Sequence, residues 1–160
     1  GQGTVGLEIL EQLPEVETIL VAIGGGGLIA GLSTAIKARA PHVRIVGVEP
    51  VGSPTLQASV AAGEVVRLPA VTTRVATMAC GRTDEAIFDV VRANVDEFVL
   101  VEDAEMLDAA RWLWFEMGIA ADLSGAASVA ALMTGAVRAA PGQRVCGLVC
   151  GAGPEGVLAA

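Results

Sequence analysis

The stretch TILVAIGGGGLIAGLSTAIKARA, residues 18–40, decides how this chain is read. Its first six residues are β-rich and almost uniformly apolar, its middle is the four glycines Gly24, Gly25, Gly26 and Gly27, and from Leu28 onward its apolar residues follow a helical pattern. Strand, glycine turn and helix start follow one another. Residues without Cβ let a backbone come close to an anion, and the free N–H groups and positive dipole end of the next helix point at it. The arrangement suits a phosphate better than a flexible linker, because glycine punctuation here falls at a strand-to-helix junction.

The same alternation continues along the chain. Further strands are read at 43–48, 98–101 and 145–149, and helices at 28–38, 54–62, 84–93, 104–117 and 125–139, after an opening helical pattern in VGLEILEQL that Pro14 ends. Met106, Ala110, Leu113, Trp114 and Met117 form one apolar stripe and read as core. Strands that alternate with helices predict an α/β fold, a three-layer sandwich with a mostly parallel sheet, with its ligand crevice at the carboxyl ends of the strands. The glycine run and the CGAG at 150–153 both follow strands and are expected to face that crevice. Residues 64–82 show no period but are apolar, so they read as a loop packed against it.

Composition narrows the function classes. The 160 residues suffice for one domain, 53% are hydrophobic, and the mean hydropathy is +0.62, yet no apolar run approaches the roughly 18 residues of a membrane span. No membrane partner is expected. A net charge of −8 with ten scattered basic residues offers no footprint for nucleic acid. Cys80, Cys146 and Cys150 are odd in number and lack paired metal spacing, and no signal peptide is read, so the expected compartment is the cytoplasm. The single histidine, His42, follows Pro41 in a turn and reads as a surface residue, which excludes a histidine-based metal site or a Ser/His/Asp triad.

Two phosphate readings compete. Gly25, Gly27 and Ala30 match the dinucleotide pattern G-x-G-x-x-A, and Glu49 closes the next strand where a ribose-binding acid would stand. Against this, GQGT at 1–4, GGGGLIAG at 24–31, VEP at 48–50, ACG at 79–81, ADLSGAA at 121–127 and CGAG at 150–153 run through nearly the whole chain. In order and spacing they resemble the fold type II pyridoxal-phosphate enzymes, specifically the threonine/serine dehydratase and serine racemase group.

The resemblance implies the large cofactor domain of the tryptophan-synthase-β-like fold, incomplete here, with pyridoxal 5'-phosphate as cofactor. It implies that the N–H groups of Gly24, Gly25, Gly26, Gly27 and Leu28 cradle the phosphate, that Gly81 lines the cofactor ring, and that Cys150 meets the pyridine nitrogen. It implies a small amino-acid substrate and, for the full-length protein, a homodimer. The departures are Asp122-Leu123 where the family commonly has Glu-Pro, Cys80 where it commonly has Asp, and Cys150-Gly151-Ala152-Gly153 where its tail is usually S-G-G-N. Some relatives bind a cation through the Glu ending the second strand and a nearby acid; Glu49 is present, but Thr55 stands where that acid would be, leaving Glu49 a weak metal candidate.

Such enzymes need a lysine to hold the cofactor and act on the α-proton. The chain has one, Lys37, about 15 Å along the helix that follows the glycine run at 1.5 Å per residue, in a polar context that reads as solvated surface. The family's S-x-K-x-R-G-type and S-x-G-N-type segments do not occur. Residues 1–160 are therefore expected to be the carboxy-terminal part of the large domain, without the small domain or the catalytic lysine, and inactive alone. The parent reaction implied is β-elimination from L-threonine or L-serine to a 2-oxo acid and ammonia. Serine racemase, hydroxyaspartate dehydratase and diaminopropionate ammonia-lyase are alternatives, and an NAD-binding domain or a non-catalytic binding module stays open from the residues alone.

Overall fold

Four strands, β1 (Thr18–Ala22), β2 (Arg44–Pro50), β3 (Glu97–Val101) and β4 (Val145–Gly147), form one sheet in the order β3-β2-β1-β4, and every pairing is parallel. The structure is a computed structural model and describes residues 1–158. The helices are α1 (Gly3–Gln12), α2 (Gly27–Arg39), α3 (Thr55–Ala62), α4 (Glu85–Asn94), α5 (Asp103–Met117), α6 (Leu123–Met133) and α7 (Glu155–Leu158), of which α2 to α6 supply the crossovers that parallel strands require.

Period-two alternation turns each continuous apolar strand into two half-cores. Ile19, Val21, Ile23 and Ile45 pack with Ile9 of α1, with Ile29, Leu32 and Ile36 of α2, and with Val91 of α4. Leu20, Ala22, Val46 and Val48 face the other way, onto Met106, Ala109, Ala110 and Leu113 of α5 and the alanines of α6. The expected three layers are thus present.

Local signals explain the boundaries. Asp84 caps α4 by accepting from the Ala86 amide at 2.9 Å, and Glu102 and Glu105 close a capping box on α5. Gly63 and Gly118 end α3 and α5 in the left-handed conformation.

Three details depart from the sequence reading. Helix α6 stops at Met133 instead of continuing to 139, because the chain turns through Gly135 at φ +77° and Val137 folds back to bond the Ala131 carbonyl. The short α7 was not expected. On α5 the buried row is Met106, Ala109, Ala110 and Leu113, whereas Trp114 and Met117 are 37% and 58% exposed: Ala109 takes the place given to Trp114, and Met117 lies in the last turn before Gly118.

Candidate active site

The cleft lies at the carboxyl ends of neighbouring strands β1 and β4, where the chain leaves β1 for α2 on one face of the sheet, while α6, which leads into β4, packs on the other face. Its volume is about 320 Å³. Gly24 to Gly27 and Leu28 make one wall, Thr77 and Met78 a second, and Asp122, Ser124, Cys150 and Gly151 a third.

Each glycine has its own reason to be one. A Cβ on Gly24 would lie 2.3 Å from the Thr77 carbonyl oxygen, so only glycine lets the two walls meet. At Gly25 and Gly27 a Cβ would meet no protein atom within 4 Å; it would project into open space beside the turn. Gly26 has φ +93° and caps α2. Among the described residues, the N–H groups of Gly24 through Leu28 make no hydrogen bond inside the protein, and the first helical bond here runs from Ala30 to the Gly26 carbonyl. Five unpartnered donors beside the positive end of a 13-residue helix are a geometry that can receive an anion. Among the described residues no Lys or Arg lines the cleft, so an anion entering it would meet backbone donors alone.

The third wall is polar and acidic. Asp122 caps α6, accepting from the Gly125 amide at 2.5 Å and the Ser124 hydroxyl at 2.7 Å, while its own amide donates to the Gly151 carbonyl at 3.3 Å. The Cys150 thiol is 3.8 Å from the Ser124 carbonyl oxygen. Desolvation of the sulfur, then the Asp122 carboxylate, push the Cys150 pKa above that of an ordinary thiol, so the neutral form dominates. This wall offers a weak donor and little positive charge.

The wall at Thr77 and Met78 is held from behind. The Ser53 hydroxyl accepts from the Cys80 amide at 3.0 Å and donates to the Cys80 carbonyl at 2.8 Å, and the Thr55 hydroxyl donates to the same carbonyl. Both side chains are buried. Met78 and Val75 are buried too, so the aperiodic loop packs against the crevice as expected.

Six of the seven residues singled out from sequence, Gly24, Gly25, Gly26, Gly27, Leu28 and Cys150, line one cleft. Gly81 does not. Its carbonyl accepts from the Leu68 amide at 2.8 Å and its α-carbon faces Val71, so it belongs to the loop's own turn. Thr77, Met78, Asp122 and Ser124 are cleft residues that sequence reasoning did not assign, although Asp122 and Ser124 stood inside a quoted motif.

Glu49 has a different task from either one considered for it. Fully buried, it takes the Leu56 and Gln57 amides on its two oxygens, each at 2.8 Å, and so caps α3. That geometry leaves it unable to reach a ribose, which removes the acid the dinucleotide reading needed. Lys37 is not a solvated lysine either: its ammonium donates to Asp96 at 2.8 Å and to the Val43 carbonyl at 2.9 Å, and the side chain is 18% exposed. It ties the end of α2 to the turn before β3. His42 is exposed, as expected.

Comparison with known proteins identifies the family. The chain is 42% identical over 146 residues to an L-threonine ammonia-lyase of Geobacter sulfurreducens, covering 91% of this chain and 36% of that protein. It is 36% identical over 151 residues to a phenylserine dehydratase of Ralstonia pickettii, covering 94% and 46%. The structure of maize serine racemase superposes with a TM-score of 0.87 at 35% identity, over 95% of this chain and 48% of that one. The chain thus spans less than half the length of these relatives. The family model described as pyridoxal-phosphate dependent enzyme matches residues 1–151, and the chain belongs to that family.

Proposed function

We propose that this chain is the cofactor-binding part of an amino-acid ammonia-lyase that eliminates water from L-threonine or L-serine, the released enamine then being hydrolysed to a 2-oxo acid and ammonia. The observation that carries the reading is the run of unpartnered amides from Gly24 to Leu28, with the neutral thiol of Cys150 on another wall of the same cleft. These residues fit pyridoxal phosphate: an open glycine cradle for the phosphate and a neutral partner for the ring nitrogen. When bound, the cofactor supplies an electron sink for the α-carbon of an amino acid.

The roles left to the chain are binding and orientation. Gly24 to Leu28 would hold the phosphate without a cationic side chain. Cys150 is a weak donor that does not keep a ring nitrogen protonated as a paired carboxylate would, which favours prompt loss of a β-hydroxyl over transamination. Lys37 is tied to Asp96 and Val43, so the amine that anchors the cofactor is assigned to a segment outside residues 1–160. In that full-length protein, a cytoplasmic homodimer is the assembly we propose. The three unpaired cysteines support a reducing compartment, and among the described residues no helix is long and apolar enough to cross a membrane.

Ligand-dependent stabilisation tests the reading. At a hundredfold excess over Kd a ligand stabilises by about 2.7 kcal/mol. Pyridoxal phosphate is expected to raise the Tm of the chain and NADH to leave it unchanged. Protection by NADH alone would reverse the assignment.

A further inference from the structure

A peptide flanked by two glycines flips at little steric cost, so the Gly25–Gly26 unit needs something to hold its orientation. Thr83 is placed to do so. It is 3% exposed, and its hydroxyl donates to the Gly25 carbonyl at 3.0 Å. Among the described residues it is the one side chain that hydrogen-bonds the backbone of the four-glycine run. No peptide bond is cis, so the carbonyl of Gly25 and the N–H of Gly26 point in opposite directions. Fixing the oxygen on Thr83 therefore aims the Gly26 N–H away from Thr83.

The other contacts of Gly26 limit how that residue can turn. A Cβ on Gly26 would stand 2.7 Å from both Ile87 and Leu56, so the α-carbon is pressed against α4 and α3, and Gly26 itself lines the cleft. Thr83 sits on firm ground. It immediately precedes Asp84, the cap of α4, and its carbonyl accepts from Arg82, whose guanidinium is paired with Glu85 at 2.7 Å. If the hydroxyl were missing, the Gly25 oxygen could turn toward the cleft and set a negative partial charge against an incoming anion.

We infer that Thr83 is a positioning residue: its hydroxyl locks the Gly25–Gly26 peptide so that the Gly26 amide serves the anion in the cleft. This rests on the reading of the glycine turn as a phosphate cradle. The experiment follows the Gly26 amide by NMR in the 15N-labelled chain during titration with inorganic phosphate, for wild type, Thr83→Val, Thr83→Ser and Thr83→Ala. In wild type the Gly26 amide should shift on titration. Thr83→Val should weaken phosphate binding about tenfold and move the Gly26 resonance before any phosphate is added, with Thr83→Ser staying within about twofold of wild type. Thr83→Ala gives the same comparison should the valine variant not fold. Wild-type affinity and an unmoved Gly26 resonance in a folded Thr83→Val or Thr83→Ala chain would overturn the inference. Should phosphate leave the wild-type turn untouched, the cradle reading fails, and the ligand-free Gly26 resonance decides the role of Thr83: displaced in Val and retained in Ser, the lock stands; unmoved in both, it falls.

Discussion

The amide of Leu56 donates to the Glu49 carboxylate at 2.8 Å in a place fully shielded from solvent, so a buried acid does the capping of α3. Burial is the larger influence on this acid, and it outweighs the opposing help of the Leu56, Gln57 and Thr55 amides, raising the Glu49 pKa to about 7 from 4.5. The folded chain holds the Glu49 proton up to about pH 7 and the unfolded chain releases it near 4.5. Between these values the unfolded state binds fewer protons, so stability falls as pH rises through the window. The contribution is complete below the lower value and gone above the upper one. At about 1.4 kcal/mol per pKa unit it amounts to ~3 kcal/mol. Urea unfolding of wild type and Glu49→Gln at pH 5 and pH 7.5 should show a smaller pH dependence in the variant; equal slopes would contradict the raised pKa.

What was legible in the sequence was local, and what was not was set by distant packing. The glycine run between an apolar strand and a helical pattern carries its geometry within a few residues, so the turn from Gly24 to Leu28 could be read before any fold was known. Thr77 and Met78 lie in a segment without period, and they reach the cleft because Ser53 and Thr55, more than twenty residues earlier, grip Cys80. Gly81 illustrates the same limit: past that grip the Gly81 carbonyl takes the Leu68 amide, and no local pattern announces that pairing. Glu49 was visible as the end of a strand, but its use as a helix cap depends on the turn at Val51 to Pro54 bringing α3 back over it.

The two walls of the cleft make opposite demands on adjacent glycines. Gly24→Ala would force a methyl against the Thr77 carbonyl and should cost about 1–3 kcal/mol of stability. Gly25→Asp meets no protein atom near its Cβ, so the fold should tolerate it while the added charge opposes a phosphate dianion. Pyridoxal phosphate affinity should drop by at least a hundredfold, on the order of 3 kcal/mol. Equilibrium dialysis paired with thermal unfolding separates the two effects, and unchanged affinity in Gly25→Asp would remove Gly25 from the cradle.

Ser53 and Thr55 should differ in what they cost. Ser53→Ala leaves the Cys80 amide without its acceptor and removes one donor from the Cys80 carbonyl, a loss of about 1–3 kcal/mol. Thr55→Val removes a donor from a carbonyl that Ser53 still serves, and should cost about 1 kcal/mol or less. Denaturant unfolding of both variants checks the order. A Thr55→Val chain less stable than Ser53→Ala would mean that Thr55 is the main grip.

Cys150 is exposed at the cleft yet slow to ionise, and its reactivity should report both facts. The thiolate is the nucleophile, so a raised pKa delays alkylation to higher pH than for an ordinary thiol near 8.5. Desolvation is the greater cause and Asp122 the lesser. Asp122→Asn keeps a side chain able to cap α6 and removes the charge, so iodoacetamide labelling of Cys150 near pH 8.5 should speed up without reaching the rate of a free cysteine. Peptide mapping distinguishes Cys150 from Cys80 and Cys146, and bound pyridoxal phosphate should slow the labelling of Cys150 in particular. Labelling of Cys150 that ignores both the Asp122→Asn change and the cofactor would place the thiol outside the cleft chemistry, leaving the glycine cradle to rest on its own amides.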